Sequence, residues 1–463
     1  MPQRRPGAGR PSAGRRLLSV AAGLVVAAVV LPSCQDNSQS TSGDPVRPAR
    51  HQGPDAGKTR PHSTTSPDTT TAPDSQKTRE PTPNADRPSR VADNPLGQLG
   101  RPGTPGTAGP NDQGDGHGNG NSGGHGQGNP GGTGTNVGWS GPRFGAVYHG
   151  MWDMTWSDRA ELLDKLVSIG VRWVRLGVQW SLVQPNPPSS EHGGWNVNWG
   201  LPKADRVINQ AVQRGLKVSV TLQRTPGWAN GGRAPEYLPS NPADYARAIE
   251  RLAHRYRGKV GSWEIYNEPN NDNQLQASVA DYVRVLCAAY PAVHRGDPGA
   301  KVVFGGTSGN DYEYINAAYH HGAKGCFDVL ATHPYNSNLS PRPPPPSEQG
   351  WWFRNIKYVR DVMLRHGDGA KPVWFTEFGW STHPNTARME SFERGVTRSQ
   401  QARYALDVLR ITKRDYPYVD RLAWYSARDE TNSTTENNNF GLYTLDLQPK
   451  PAALALQRFF ASQ

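Results

Sequence analysis

From Phe144 to its end the chain repeats one pattern eight times: a short apolar or β-branched run, then a longer segment of helical periodicity, often closed by Gly. No single run can fold alone. Strands must pair, and each helix must bury its apolar stripe on them, so the alternation directs the chain into a parallel sheet flanked by helices. The strands are expected at 144–148, 171–176, 217–222, 260–266, 301–305, 327–331, 372–376 and 421–425. Helices are expected at 157–169, with Ser157 as N-cap, and at 202–214. The next begins at Asn241-Pro242, a capping residue followed by Pro at the first position. The others are expected at 278–293, 312–320, 353–365, 399–413 and 451–461, and Pro291 should kink or end the fourth. Eight units within residues 139–463 fit an α/β fold of the (β/α)8 TIM-barrel type better than an open doubly wound sheet.

The rest of the chain has another character. All fourteen Trp fall between Trp139 and Trp424, while residues 1–138 are rich in Pro, Gly, Ser and Thr. Such a composition cannot offset its own ordering entropy. Three parts follow: a signal segment (1–33), a disordered tether (34–138) and a folded domain (139–463). Arg4, Arg5, Arg10, Arg15 and Arg16 precede an uncharged apolar run at 17–31, too short for an ordinary spanning helix and suited to an export signal. The run ends in Leu31-Pro32-Ser33-Cys34, which resembles a bacterial lipobox. That resemblance implies an acylated Cys34 and a domain anchored outside the cell membrane; the alternative is a plain signal peptide cut nearby. Cys287 and Cys326 can form a disulfide in an oxidising compartment or remain two buried thiols.

The net charge of +11 divides into +4 over residues 1–138 and +7 over 139–463, without the dense Lys/Arg runs of a nucleic-acid reader. His and Cys lack metal-ligand spacing, no Gly-rich phosphate loop follows a strand, and no cofactor is expected. Nothing in the sequence marks an oligomeric interface.

Chemistry is concentrated at two strand ends. The fourth strand runs into Asn267-Glu268-Pro269 and the seventh into Glu377-Phe378-Gly379. In a parallel barrel the C-terminal strand ends gather at one mouth, and strands four and seven stand roughly across it. Two carboxyl groups so placed can flank one bond. Cleavage of a glycosidic bond needs such a pair, one to protonate the leaving oxygen and one, about 5–5.5 Å away in retaining enzymes, to attack the anomeric carbon. Glu264, four residues before Glu268, should sit deeper and serve the structure.

Asn267-Glu268-Pro269 with Glu377 resembles glycoside hydrolase clan A, and the resemblance spans nearly all of 144–463. It implies a (β/α)8 barrel, retention of configuration, Glu268 as acid/base and Glu377 as nucleophile. It also implies that Asn267 binds the sugar 2-hydroxyl, Arg175 supports the nucleophile, Tyr335 hydrogen-bonds it, His333 lines the site and Trp424 is a sugar platform. The segment Gln223-Arg224-Thr225-Pro226-Gly227-Trp228 departs from the clan pattern and resembles family 39 and its exopolysaccharide-degrading relatives. Trp228, with Trp152, Trp180, Trp351, Trp352 and Trp380, could line a glycan cleft. The expected partner is a β-linked glycan; the competing reading is a surface carbohydrate-binding lipoprotein that has lost catalysis.

Overall fold

The computed structural model describes residues 139–152, 154–345, 352–389, 394–431 and 438–463. The signal segment, Cys34, the tether and Trp351 lie outside these. Among the described residues are nine strands, all parallel: β1 (Arg143–Val147), β2 (Trp173–Gln179), β3 (Lys217–Gln223), β4 (Val260–Ile265), β5 (Lys301–Phe304), β6 (Thr307–Ser308), β7 (Leu330–His333), β8 (Val373–Phe378) and β9 (Val419–Trp424). Their order is β5-β4-β3-β2-β1-β9-β8-β7-β6. β5 and β6 are two pieces of one strand, interrupted at Gly305-Gly306. The ring closes there: Val303 bridges Val329, the Phe304 N–H donates to the Val329 carbonyl (2.9 Å), and Thr307 and Ser308 pair with Thr332 and His333. The result is an eight-position TIM barrel.

Among the described residues, eight helices of nine residues or more cover it: α1 (Trp156–Ser168), α2 (Gly200–Gln213), α3 (Pro242–Arg255), α4 (Val279–Gly296), α5 (Tyr312–His320), α6 (Ile356–Arg365), α7 (Arg398–Asp415) and α8 (Pro451–Ala461). Alternate strand residues face them. Phe144, Val174, Leu176, Val218, Val220, Leu222, Ile265 and Leu422 pack with Leu162, Ile208, Ile249, Leu252, Val359 and Leu456 in one continuous layer. Each such side chain contributes about 1.5–3 kcal/mol when fully buried. The other parity points to the axis. Val147, Trp173 and Ala423 form one inner cluster, and Val303, Val329, Ala331 and Trp374 another. The Trp173 and Trp374 rings lie 5.9 Å apart, and the Arg421 guanidinium sits 4.0 Å from the centre of Trp374. This plug fills the N-terminal half of the barrel and leaves the opposite end for polar groups.

Several local expectations shift. The N-cap of α1 is Thr155, whose Oγ1 accepts from Asp158 N at 3.0 Å, and Ser157 lies within the helix. Pro291 neither ends nor bounds α4, which continues to Gly296. Ala292 and Val293 just beyond it are fully buried, and tertiary burial there outweighs the missing backbone donor. The sixth strand begins at Leu330. Phe327 instead plugs the layer beneath Phe304 and Tyr319, and the Asp328 carboxylate accepts the Val302 N–H. That shift makes His333 the last residue of a strand. Cys287 of α4 and Cys326 before β7 form a disulfide, with Cα atoms 4.7 Å apart. Closing a loop with a sequence separation of 39 contributes about 2–4 kcal/mol.

Candidate active site

The polar groups meet at the C-terminal ends of β2, β3, β4, β7 and β8. Arg175 of β2 is the hub. Its Nε donates to Glu264 Oε2 at 2.5 Å, its Nη1 to Glu377 Oε1 at 2.6 Å and its Nη2 to Asn267 Oδ1 at 2.7 Å. One planar guanidinium therefore ties β2, β4 and β8 together, a task suited to its rigid fork of donors. Glu264 is wholly buried and accepts three more hydrogen bonds, from Thr221 Oγ1 (2.8 Å), Gly306 N (2.9 Å) and Thr376 Oγ1 (3.0 Å). Burial pushes its carboxyl upward, but the Arg175 charge and hydrogen bond, aided by His333 and the Gly306 N–H, outweigh burial and hold it below its ordinary value. Glu264 is the deep structural anion that its strand position suggested.

Glu268 and Glu377 stand above it, both buried. Glu377 Oε2 accepts from Tyr335 Oη at 2.8 Å, so the two oxygens of this carboxylate are held by Tyr335 and Arg175. Glu268 Oε2 accepts from Asn271 Nδ2 at 2.9 Å, and Oε1 lies 2.9 Å from His333 Nδ1. A carboxylate oxygen of each Glu and a His333 ring nitrogen all lie within 4.8 Å of one another. Three such ligand types can hold a cation, but the Arg175 guanidinium already neutralises Glu377 and would oppose one. The set fits a carboxylate pair better than a metal triad.

Glu268 reaches this place through an unusual backbone. Its φ is +43°, in the left-handed region that costs non-Gly residues about 1–3 kcal/mol. The Glu268 N–H donating to the Gly306 carbonyl (3.0 Å) and the Asn271 N–H donating to the Glu268 carbonyl (2.9 Å) hold it there. Gly306 has no alternative: a Cβ would lie 2.3 Å from His333 Nε2 and 2.6 Å from Thr376 Oγ1.

The His333 proton can be placed from its partners. Thr376 Oγ1 gives its hydrogen to Glu264, so it can only accept at 3.1 Å from His333 Nε2, which must carry a proton. In neutral His333 the Nδ1 lone pair then faces Glu268. Burial would lower the His333 pKa, but the Glu377 charge and the hydrogen bond with Glu268 outweigh it and raise it above the usual histidine value.

The aromatic expectations fare less evenly. Trp424 is wholly buried in the strand–helix layer, 5.3 Å from Phe378, with its indole N–H donating to the Phe440 carbonyl at 2.9 Å. It offers no face to a sugar. Strand parity turns the next residue inward instead, and Tyr425 lies 6.3 Å from the Tyr335 ring. Trp180 and Trp380 are likewise core. Trp228 is partly buried on the rim after β3, edge-on to Trp180, its N–H donating to the Gln184 carbonyl. Trp352 is partly buried; Trp152 alone of the described members of this row is well exposed. Asn271, His149 and Glu430, all at the mouth, were not singled out in the sequence. Asn271 had one usable signal, its place three residues beyond Glu268.

The family model described as Cellulase (glycosyl hydrolase family 5) matches residues 131–406. A probable mannan endo-1,4-beta-mannosidase C from Aspergillus terreus is 27% identical over 221 residues, 39% of this chain and 50% of that protein. A beta-1,4-xylanase from Dictyoglomus thermophilum is 28% identical over 145 residues, 29% of this chain and 36% of that one. The chain thus spans half or less of the length of these relatives. Among solved structures, a family 39 glycoside hydrolase from Bacteroides cellulosilyticus has a TM-score of 0.55 at 21% identity, covering 70% of this chain and 64% of its own. GH5_18 from Streptomyces cattleya has a TM-score of 0.52 at 20% identity, covering 70% and 81%. The two share the barrel fold. The sequence model that matches is that of family 5, and with the family 39 structure this chain shares the fold.

Proposed function

This chain belongs to glycosyl hydrolase family 5, and from that premise we propose that it cleaves a β-linked glycan, in endo fashion, by double displacement with retention. The observation that carries the reading is the Glu268–Glu377 pair, with oxygens within 4.8 Å, one member clamped by Arg175 and Tyr335 and the other paired with His333. So close an approach of the two oxygens fits the short carboxyl separation of retaining enzymes, in which the second carboxylate itself attacks, better than the wider one that admits a water. Glu377, stabilised as an anion by the guanidinium, attacks the anomeric carbon as Glu268 protonates the departing oxygen. Water then enters on the vacated side. Glu268 takes its proton, the oxygen bonds to the anomeric carbon, and the Glu377 ester breaks. His333 offers its Nδ1 lone pair to the Glu268 proton in the resting state; that contact is given up when the proton leaves with the departing oxygen and is restored when Glu268 takes the proton of the attacking water. Asn267 gives its carbonyl to Arg175 and one amide hydrogen to Gln274 Oε1 (3.5 Å), which leaves the other amide hydrogen to donate to the 2-hydroxyl. The similarity to mannan- and xylan-directed relatives supports a β-1,4-linked polysaccharide as substrate.

The test is incubation of the full chain with β-mannan, xylan, β-glucan and bacterial exopolysaccharides, following new reducing ends, product length and anomeric configuration. Oligosaccharides of initially β configuration, absent with Glu377→Ala, are expected. Affinity for a glycan without turnover would favour a binding lipoprotein instead, and α products would rule out retention.

Export and lipid attachment through Cys34 belong to the same proposal, supported by the basic stretch, the uncharged run at 17–31 and the Ser33-Cys34 junction. Residues 34–138 would then let the domain reach polymer away from the membrane. Expression in a bacterial host with a radiolabelled fatty acid should label the wild type and not Cys34→Ala; equal labelling of both would exclude this site.

A further inference from the structure

On the side of the mouth nearer the nucleophile lies a polar group that the mechanism does not use. Glu430, in the loop after β9, has a side chain only 8% exposed. Its Oε1 accepts from Tyr425 Oη at 2.9 Å and lies 3.4 Å from His149 Nδ1. Among the described residues its Oε2 has no hydrogen-bond partner. Tyr425 in turn packs edge-on to Tyr335, the residue that holds Glu377. His149, in the loop after β1, stacks on Trp152 with ring centres 3.8 Å apart and planes 11° apart, and Trp152 is 40% exposed. Two loops far apart in sequence therefore bring together a recessed carboxylate, a phenol and an exposed indole face. Burial, with Glu377 and Asp429 adding to it and the Tyr425 hydrogen bond and Arg428 opposing, pushes the Glu430 carboxyl up to about 7. A carboxylate in that position gains from any donor that completes its hydrogen bonding.

The direction of the site identifies the ligand. Glu268 delivers its proton to the leaving oxygen, so the departing sugar lies toward β4 and β5. The ring that becomes attached to Glu377 lies the other way, toward β8, β9 and β1, where Glu430, Tyr425, His149 and Trp152 stand. A pyranose presents C–H faces to an indole and vicinal hydroxyls to a carboxylate. A uronic acid would set a second negative charge against Glu430 and Glu377. We infer that Glu430, with Tyr425 and the face of Trp152, forms the glycone pocket of this enzyme and selects neutral pyranoses by accepting hydrogen bonds from their hydroxyl groups. The inference rests on the hydrolase reading for its orientation, though not for its test.

The full chain, Glu430→Gln, Tyr425→Phe and Trp152→Ala are compared on 4-nitrophenyl β-glycosides of glucose, mannose, xylose and glucuronic acid, with thermal unfolding to confirm that each is folded. Glu430→Gln is expected to lower kcat/KM on the best neutral glycoside about 100-fold and to narrow the gap to the glucuronide. Trp152→Ala is expected to raise KM about 10-fold with kcat retained. Tyr425→Phe keeps the question open to measurement if Glu430→Gln does not fold, and should lower the same kcat/KM about 10-fold. An unchanged ranking of the four glycosides in folded Glu430→Gln, or in Tyr425→Phe should that variant be the one that folds, overturns the pocket. Calorimetric titration with mannobiose, xylobiose and cellobiose reads it without turnover. A tenfold weaker Kd for the variant supports it even if the wild type hydrolyses nothing, whereas equal Kd values, or no binding by the wild type to any of the three, overturn it even if hydrolysis is established.

Discussion

Glu377→Ala should lower kcat by about 10⁵–10⁶-fold on every glycoside, whatever the leaving group, because removal of a covalent nucleophile costs on that scale. Glu268→Ala should behave differently. On a polysaccharide, whose departing sugar hydroxyl needs a proton, the expected loss is about 10²–10⁴-fold. On a 2,4-dinitrophenyl glycoside, whose phenolate leaves unprotonated, the first step should be nearly unaffected and the intermediate should accumulate. Azide separates the roles stereochemically. In Glu268→Ala it attacks the glycosyl-enzyme from the vacated face and yields the β-glycosyl azide. In Glu377→Ala it fits the space of the missing carboxylate, attacks the substrate directly and yields the α azide. Steady-state rates on the two substrates and the anomeric signals of the azides check this. The assignment is wrong if both variants show the same dependence on leaving group or the same azide.

The second large effect concerns stability. Arg175→Met should cost about 3–5 kcal/mol, since it strands Glu264 and Glu377 as buried, unmatched carboxylates. Against a total of about 5–15 kcal/mol, that is enough to unfold a good part of the population. Arg175→Met combined with Glu264→Leu should recover much of the loss, because the pair is then replaced by apolar volume, yet activity should remain absent as Glu377 still lacks its clamp. Denaturant unfolding of the single and double variants measures this; a single variant as stable as the wild type would contradict the hub described for Arg175. The acid limb carries a signed consequence. Glu264 has a folded pKa below its ordinary 4.5, so its contribution is present above that value and lost as pH falls through the depressed one. The stability gap between wild type and Glu264→Gln should therefore be constant near neutrality and close below about pH 4.5.

The carboxylate pair was legible because its signals are local. A Glu at the end of an apolar run, flanked by Asn and Pro, needs no knowledge of distant contacts, and the barrel carries such strand ends to one mouth. Arg175, Asn267, His333 and Tyr335 followed from the resemblance to clan A, and the structure brings all four together with the carboxylates. Trp424 failed because a strand's facing depends on parity. Trp424 and Tyr425 differ by one position, and one position decides whether a side chain meets the helices or the mouth. His149, Asn271 and Glu430 lie on loops, where no periodicity announces direction.

What the sequence by itself determined was the repeating strand–helix unit, hence the barrel, and the pair of carboxyl groups at two strand ends. Those features depend on patterns spanning a few residues, and closure of the ring follows from eight of them in series. The tertiary structure alone decided which aromatics reach the mouth, that Cys287 and Cys326 meet, that α4 runs through Pro291, and that β5 breaks at Gly305-Gly306 to admit His333 and Thr376. Each depends on packing between segments distant in the chain, where the free energy of a contact is set by the partner and not by the neighbouring residues.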